Sequence, residues 1–487
     1  MLTQNANGDP RLSFWLRVRE FAVPPSMIET ATARRRAGDW AGACAAAGID
    51  VDVDLRSVAR RHGRELAARL RADLRHLAPD LLRWHLPRIA PDGLLRPGLT
   101  LALARYDAPE RAGSAPVCLV ARTPPAWAGA GQRIGLALWD GTRSDAAAGR
   151  HPHPRPHRRF RLDLHRHLWD ARRADELRIR CGAERPPDDG PAVLPPDAEV
   201  TVPAGRRCAV ERWGAEAEIL LRAEGRSTGA VDVRLGGRHR LALELVADRD
   251  GLGPPAVRIA VGAGGSAGAL PVLPDAATWV LPDLELLRTG AIGLDRLHPL
   301  VASALVPAAS ALVPTASARV PTGSGPPPDH SPPGRGRIPA GAGSARLVEC
   351  RGARHRIGLV DGVLAPLDHD PAEIHREELL AALTGTPLPC LQAVDQAHRH
   401  PECLPDVRAR LDHGDGAGAL AVVEDLLGPD ALLRNGALRD ALEAAARRRI
   451  RYGLFRAGLA GPGPDRNRPD RHRPRDHRAH PRHATSP

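Results

Sequence analysis

Between Ile49 and Leu55 apolar side chains alternate with carboxylates, Ile49, Val51, Val53 and Leu55 on one parity and Asp50, Asp52 and Asp54 on the other. A period of two predicts a strand with one apolar face and one acidic face. Val58, His62, Leu66, Leu70, Leu74, Leu77 and Leu81 then recur three or four apart, which predicts a long helix over roughly 57–77 with a core stripe. Gly63 weakens that helix and Pro79 breaks it. Upstream, Ser26-Met27-Ile28-Glu29 fits a capping box and predicts a helix start at Ser26. Ala37-Gly38 predicts its end, and Asp39 is placed to cap a second short helix over 40–47.

Further along, 99–106, 116–122 and 133–139 read as strands bounded by Gly, Pro or Asp. The run HPHPRPH at 151–157 excludes regular structure, since its prolines remove backbone donors. A helix is expected from Asp163 towards Ile179. Strands return at 217–222, 230–235, 240–246 and 257–261, a pattern compatible with a sandwich or barrel. Ser-Ala-Leu-Val-Pro at 303–307 recurs at 310–314 and, with Arg for Leu, at 317–321, and 323–344 is dense in Pro and Gly. That composition predicts a disordered tether. Short strands follow at 346–350, 354–360 and 363–367, the last two joined by the hairpin pair Asp361-Gly362. Asp370-Pro371-Ala372-Glu373 predicts a capped helix start, with helices continuing to about Leu459.

These elements predict a multi-domain α+β chain with helical hairpins towards both ends and β-rich units between them. The expected divisions are a helical region with an acidic strand (20–90), a mainly β region (97–290), a linker (301–344), a small hairpin-plus-helix domain (345–460) and an Arg/His-rich tail (462–487). One stretch echoes another: Gly38-Asp39-Trp40-Ala41-Gly42-Ala43-Cys44-Ala45 matches Gly414-Asp415-Gly416-Ala417-Gly418-Ala419-Leu420-Ala421. Both resemble the helix-turn-helix joint of tetratricopeptide-like repeats, where small residues let two helices approach. No 34-residue period accompanies them, so two separate hairpins are expected.

Composition narrows the chemistry. Every one of the 69 basic residues is arginine, so a Walker A phosphate loop, the protein-kinase lysine and a Schiff base to pyridoxal phosphate are all excluded. The seven cysteines are never spaced C-x-x-C, which predicts reduced thiols in a cytoplasmic protein and no zinc finger. Met1 to Phe21 carries Asp9, Arg11, Arg17, Arg19 and Glu20 and has no signal-peptide core, and no apolar run is long enough to span a membrane. Charge is uneven. Residues 56–90, 150–183 and 462–487 together carry +16, against +12 for the whole chain, so the rest is acidic. On the 57–77 helix Arg56, Arg60, Arg64, Arg71 and Arg75 form a stripe without acids at helical spacing. Arg61 and Arg69, by contrast, have Glu65 and Asp73 four residues on.

Several motifs match only in part. Gly264-Gly265-Ser266-Ala267-Gly268 fits a nucleophile elbow, but the prolines at 271 and 274 deny it the helix that must follow. Asp50-x-Asp52-x-Asp54 lacks the glycine and the final glutamate of a calcium loop. His398-x-His400-x-x-Cys403, and Asp368-His369-Asp370 with His375, carry ligand types without metal-site spacing, so no metal and no cofactor are expected.

The segments Phe21-Ala22-Val23-Pro24-Pro25-Ser26-Met27-Ile28-Glu29 and Arg36-Ala37-Gly38-Asp39-Trp40-Ala41-Gly42-Ala43-Cys44 resemble an uncharacterised bacterial family whose genes lie beside MoxR-type AAA ATPases. The resemblance covers this stretch alone and carries no catalytic residue. It implies an accessory or adaptor role with such an ATPase as partner. The expectation is therefore a non-catalytic interaction protein binding through Arg56, Arg60, Arg64, Arg71 and Arg75. One alternative is nucleic-acid association through the Arg-rich segments, and another is an enzyme in which His369, His375 or His398 converge with acids.

Overall fold

The computed structural model describes residues 9–106, 116–140, 155–184, 207–236, 239–246, 256–261, 270–306 and 346–460. The elbow-like 264–268 run, most of 151–157, the second and third Ser-Ala-x-Val-Pro repeats, the 323–344 stretch and the tail lie outside them. The fold is α+β, with helices at both ends and sheets between. The chain divides into two compact units, Met1–Pro307 with Arg448–Pro487, and Ala308–Arg447.

In the first unit, Asp9 caps α1 (Pro10–Phe21), a helix that the sequence pattern does not announce. Helix α2 (Pro25–Arg36) starts at Pro25 with no side-chain cap, so Ser26 and Glu29 form no capping box. Proline already suits the first helical position, where its missing N–H costs nothing. The expected turn follows: Gly38 takes φ +77° and Asp39 caps α3 (Trp40–Ala46). Strand β1 (Ile49–Asp52) is shorter than its alternation, because Asp54 accepts from Arg56 N and caps α4 (Leu55–His62). Gly63, at φ +90°, ends α4 and begins α5 (Arg64–His76), so the single long helix is two. The predicted stripe is nonetheless the buried one: Val58, Leu66, Leu70, Leu74, Leu77 and Leu81 all enter the core. Pro79 opens α6 (Pro79–His85).

A short hairpin, β2 (Arg88–Ile89) and β3 (Leu94–Leu95), leads to β4 (Thr100–Tyr106), β5 (Val117–Arg122) and β6 (Ile134–Trp139). These three make an antiparallel meander, and β1 joins it parallel to β6 in the order β1-β6-β5-β4. The expected helix over 163–179 is instead a series of turns ending in α7 (Leu177–Arg180). Residues 217–222 are not a strand; they lie within α8 (Val210–Ala223), whose Trp213, Ala217, Leu220 and Leu221 share one helical face. That face covers an antiparallel sheet, β7 (Gly229–Gly236), β8 (His239–Val246) and β9 (Ala256–Val261). The packing is helix on sheet, neither sandwich nor barrel. Three short helices follow, α9 (Asp275–Thr278), α10 (Pro282–Arg288) and α11 (Pro299–Leu305); the last takes Ser303-Ala304-Leu305 of the first repeat into helix.

The core of this unit runs from Val18 to Leu305 and holds a polar knot. Arg19 donates 2.8 Å to the Trp84 carbonyl and 2.7 Å to Asp283, while Trp84 Nε1 donates 3.1 Å to the other Asp283 oxygen. Burial lowers the Arg19 pKa and the Asp283 charge opposes that shift. The buried Arg19–Asp283 pair joins α1, α6 and α10 at one point.

The second unit starts with β10 (Arg346–Cys350), β11 (Ala353–Val360) and β12 (Val363–Pro366), an antiparallel meander with its second turn at Asp361-Gly362 as expected. Asp370 caps α12 (Pro371–Thr384) through Ala372 N. Then come α13 (Pro389–Arg399), α14 (Leu404–His413), α15 (Gly416–Leu427) and α16 (Ala437–Arg456), which enters the first unit at Arg448.

Candidate functional site

All five arginines of the predicted face are exposed. Arg64, Arg71 and Arg75 lie on one side of α5, opposite the buried Leu66, Leu70 and Leu74, and Arg56 and Arg60 lie one turn apart on α4. The face is thus two segments hinged at Gly63. The decisive question is whether Asp50, Asp52 and Asp54 fold back onto it, and they do not. Asp50 accepts 2.5 Å from the Tyr452 hydroxyl and pairs with Arg133; Asp52 accepts 2.5 Å from Arg456; Asp54 caps α4. Burial pushes the Asp50 carboxyl up, but Arg133 and Tyr452 outweigh it and hold the group below its ordinary range.

The neighbouring arginines expected to pair within the helix find other partners. Arg61 stands 3.8 Å from Asp140, and Arg69 lies over the Tyr106 ring at 5.5 Å. Asp73 accepts 2.7 Å from the Tyr106 hydroxyl and pairs with Arg166. Among the described residues, none of Arg56, Arg60, Arg64, Arg71 and Arg75 is paired with a carboxylate. The result is a cationic strip in two segments, Arg56 with Arg60 on α4 and Arg64 with Arg71 and Arg75 on α5, exposed to water.

A second constellation lies in the Ala308–Arg447 unit and is not one of the sequence-predicted clusters. Cys350 ends β10, His369 lies between β12 and α12, and Cys390 sits in the first turn of α13. Each offers a ligand atom, and these atoms lie within 4.8 Å of one another. Both thiols are fully buried, and burial together with Cys350 pushes the Cys390 thiol up to about 11. The His369 side chain is 3 % exposed, with Nδ1 3.6 Å from Glu373 and Nε2 buried without a hydrogen-bond partner. His355 stacks on it, ring centroids 4.3 Å apart.

The triad of histidines considered for an enzyme does not assemble in this way. His375 is exposed, and His398 is buried; burial and then the Arg434 charge lower its pKa, against Asp395. Among the described residues, Cys350, His369 and Cys390 are the group whose ligand atoms converge, and neither His375, His398 nor Cys403 belongs to it. The signal in the sequence is faint, because the three sit on separate elements and no local spacing links them. Compared with known proteins, this chain matches no family model, no curated protein and no solved structure.

Proposed function

We propose that the chain is a cytoplasmic, non-catalytic interaction protein that docks an acidic protein surface through Arg56, Arg60, Arg64, Arg71 and Arg75, with a MoxR-type AAA ATPase as the partner. The observation that carries this reading is the unpaired state of that strip once Asp50, Asp52 and Asp54 are committed elsewhere. Guanidinium forks match carboxylates two bonds at a time, which suits an acidic helix or loop. A single exposed pair contributes little, about 0.2–1 kcal/mol, so the strip gains its effect from acting as a set and from steering encounter. Free thiols at all seven cysteines support a reducing compartment. No helix is long and apolar enough to cross a membrane among the described residues.

Nucleic acid is the weaker reading. Single strands are held by exposed aromatics that stack on bases, and the aromatic beside this strip, Tyr106, is 2 % exposed beneath Arg69. The test is the triple charge reversal Arg64→Glu, Arg71→Glu, Arg75→Glu in the full chain, with capture of the ATPase measured across a salt series. Placing like charges across the interface should weaken capture by roughly tenfold or more. Unchanged capture overturns the docking face. A salt-dependent shift with generic duplex DNA that the reversal abolishes would favour the nucleic-acid reading.

A further inference from the structure

We propose that Cys350, His369 and Cys390 bind one zinc ion that fastens the β10–β12 sheet to the start of α13. The inference is independent of the arginine face. Its first support is the donor set: two thiols and an imidazole nitrogen within 4.8 Å of one another are a borderline-soft N/S set, which selects zinc over calcium or magnesium. Its second is polar bookkeeping. His369 Nε2 is buried with no hydrogen-bond partner, a state that costs free energy unless something accepts or coordinates it. Nδ1 meanwhile stands 3.6 Å from Glu373, beyond hydrogen-bond distance, and Arg351 holds that carboxylate at 2.6 Å, so Nε2 is the imidazole nitrogen left for a ligand.

The third support is what the sheet lacks. Over β10, β11 and β12, only Cys350 and Ile357 are buried, and α12 buries no residue at all. A three-stranded sheet with so little apolar burial is short of a core. The apolar cluster of this unit lies elsewhere, on α13 to α16. At the junction of sheet and α13 stand instead Cys350, Cys390 and His369. Small units without a sufficient core are commonly stabilised by a structural metal, whose binding free energy becomes folding free energy. Binding converts both thiols to thiolates and releases their two protons to solvent, while the imidazole donates its lone pair with no change of oxidation state.

The experiment uses the full chain, purified reduced and without chelator. Elemental analysis should find one zinc per chain. Cobalt(II), with water as its fourth ligand, should give the visible bands of a tetrahedral site with sulfur-to-metal charge transfer from two thiolates. Cys350→Ser and Cys390→Ser should each remove half of that charge transfer and weaken zinc by roughly 100-fold, whereas His369→Gln should keep the two-sulfur band and weaken zinc about 10–100-fold. Chelation should raise hydrogen exchange across 346–390, and zinc should restore protection. Cys403→Ser and His398→Gln should leave stoichiometry and spectrum unchanged. The proposal is overturned if the wild-type chain neither retains zinc nor takes up cobalt, or if mass spectrometry of the native protein shows a Cys350–Cys390 disulfide. The wild-type titration decides even where a variant does not fold.

Discussion

Glu216 shows how the fold controls one ionisation. It is 4 % exposed on α8, with Arg180 Nε and Nη2 each 2.7 Å from its two oxygens and His165 Nε2 3.1 Å away. Burial alone would raise its pKa; the hydrogen bonds from His165 and Arg180, with the Arg180 charge, outweigh burial and hold the carboxyl well below the usual range. Because the folded value is depressed, the stability this group contributes is fully present above the unfolded carboxyl pKa, about 4.5, and is lost as pH falls towards the folded value. Glu216→Gln should cost about 3 kcal/mol near neutrality, since it leaves Arg180 inside without its counter-charge. Urea midpoints measured from about pH 7 down to about pH 3 should therefore show the gap between wild type and variant closing on the acid side. A gap that stays constant with pH would mean that Glu216 acts through packing and not through its charge. His369 teaches a related lesson about legibility. In the sequence it is one of 21 histidines, beside two acids that explain it as part of a helix start. Only the turn of β12 into α12 brings it to Cys350 and Cys390.

At the scale of elements, the two Gly-Asp joints coincide in detail. Gly38 and Gly414 take φ +77° and +86°, Asp39 N and Asp415 N donate to the carbonyls of Arg34 and Arg410 at 2.9 and 2.8 Å, and those same arginines pair with the capping carboxylates at 3.0 and 3.2 Å. Each aspartate then accepts from the glycine three residues on, Gly42 N at 2.8 Å and Gly418 N at 2.9 Å. A Cβ at either glycine would lie 2.1 Å from the carboxylate, so the cap itself excludes a side chain there. Asp39→Ala and Asp415→Ala should each cost about 1 kcal/mol locally, read as roughly fivefold faster amide exchange at Gly42 and Gly418. Effects at one joint only would show that the match is one of shape and not of energetics. These joints are legible in sequence because turn chemistry is local, and so is the Asp361-Gly362 hairpin. Where the reading fails, the competing signals are visible. Ala217, Ile219 and Leu221 alternate as a strand would, yet Trp213, Ala217, Leu220 and Leu221 carry the helical period over a longer window, and the longer pattern prevails. Asp54 continues the alternation of β1 but serves better as a cap, which shortens the strand. The arginine strip was open to reading as a surface, but its freedom from partners depends on where Asp50 and Asp52 go, and that is decided by residues about 400 positions away.

For the molecule as a whole, this long-range closure is the organising constraint of the first unit. The end of α16 returns to it, where Tyr452 and Phe455 pack with Ala128 against Trp127, and Tyr452 and Arg456 answer the two carboxylates of β1. Burial and the Asp50 charge both push the Tyr452 hydroxyl up, so it remains a donor throughout the working pH range. The Arg456–Asp52 pair is 37 % and 41 % exposed, so its removal should be nearly silent, below about 1 kcal/mol. The aromatic pair is different, being 8 % and 9 % exposed. Tyr452→Ala with Phe455→Ala should cost about 3 kcal/mol or more, because truncation of large buried rings loses transfer free energy and leaves a void. The loss should appear as faster hydrogen exchange in β1, which carries Asp50 and Asp52, and in β6, which Arg133 precedes, while exchange in α14 and α15 of the other unit stays as in wild type. Adding Arg133→Ala and Arg456→Ala to that variant would free both carboxylates of β1 within the same unit as the arginine strip. Partner capture should then fall if Asp50 and Asp52 swing onto Arg56 or Arg60, and an unchanged capture would show that the strip is held open by α4 and α5 themselves and not by the end of α16.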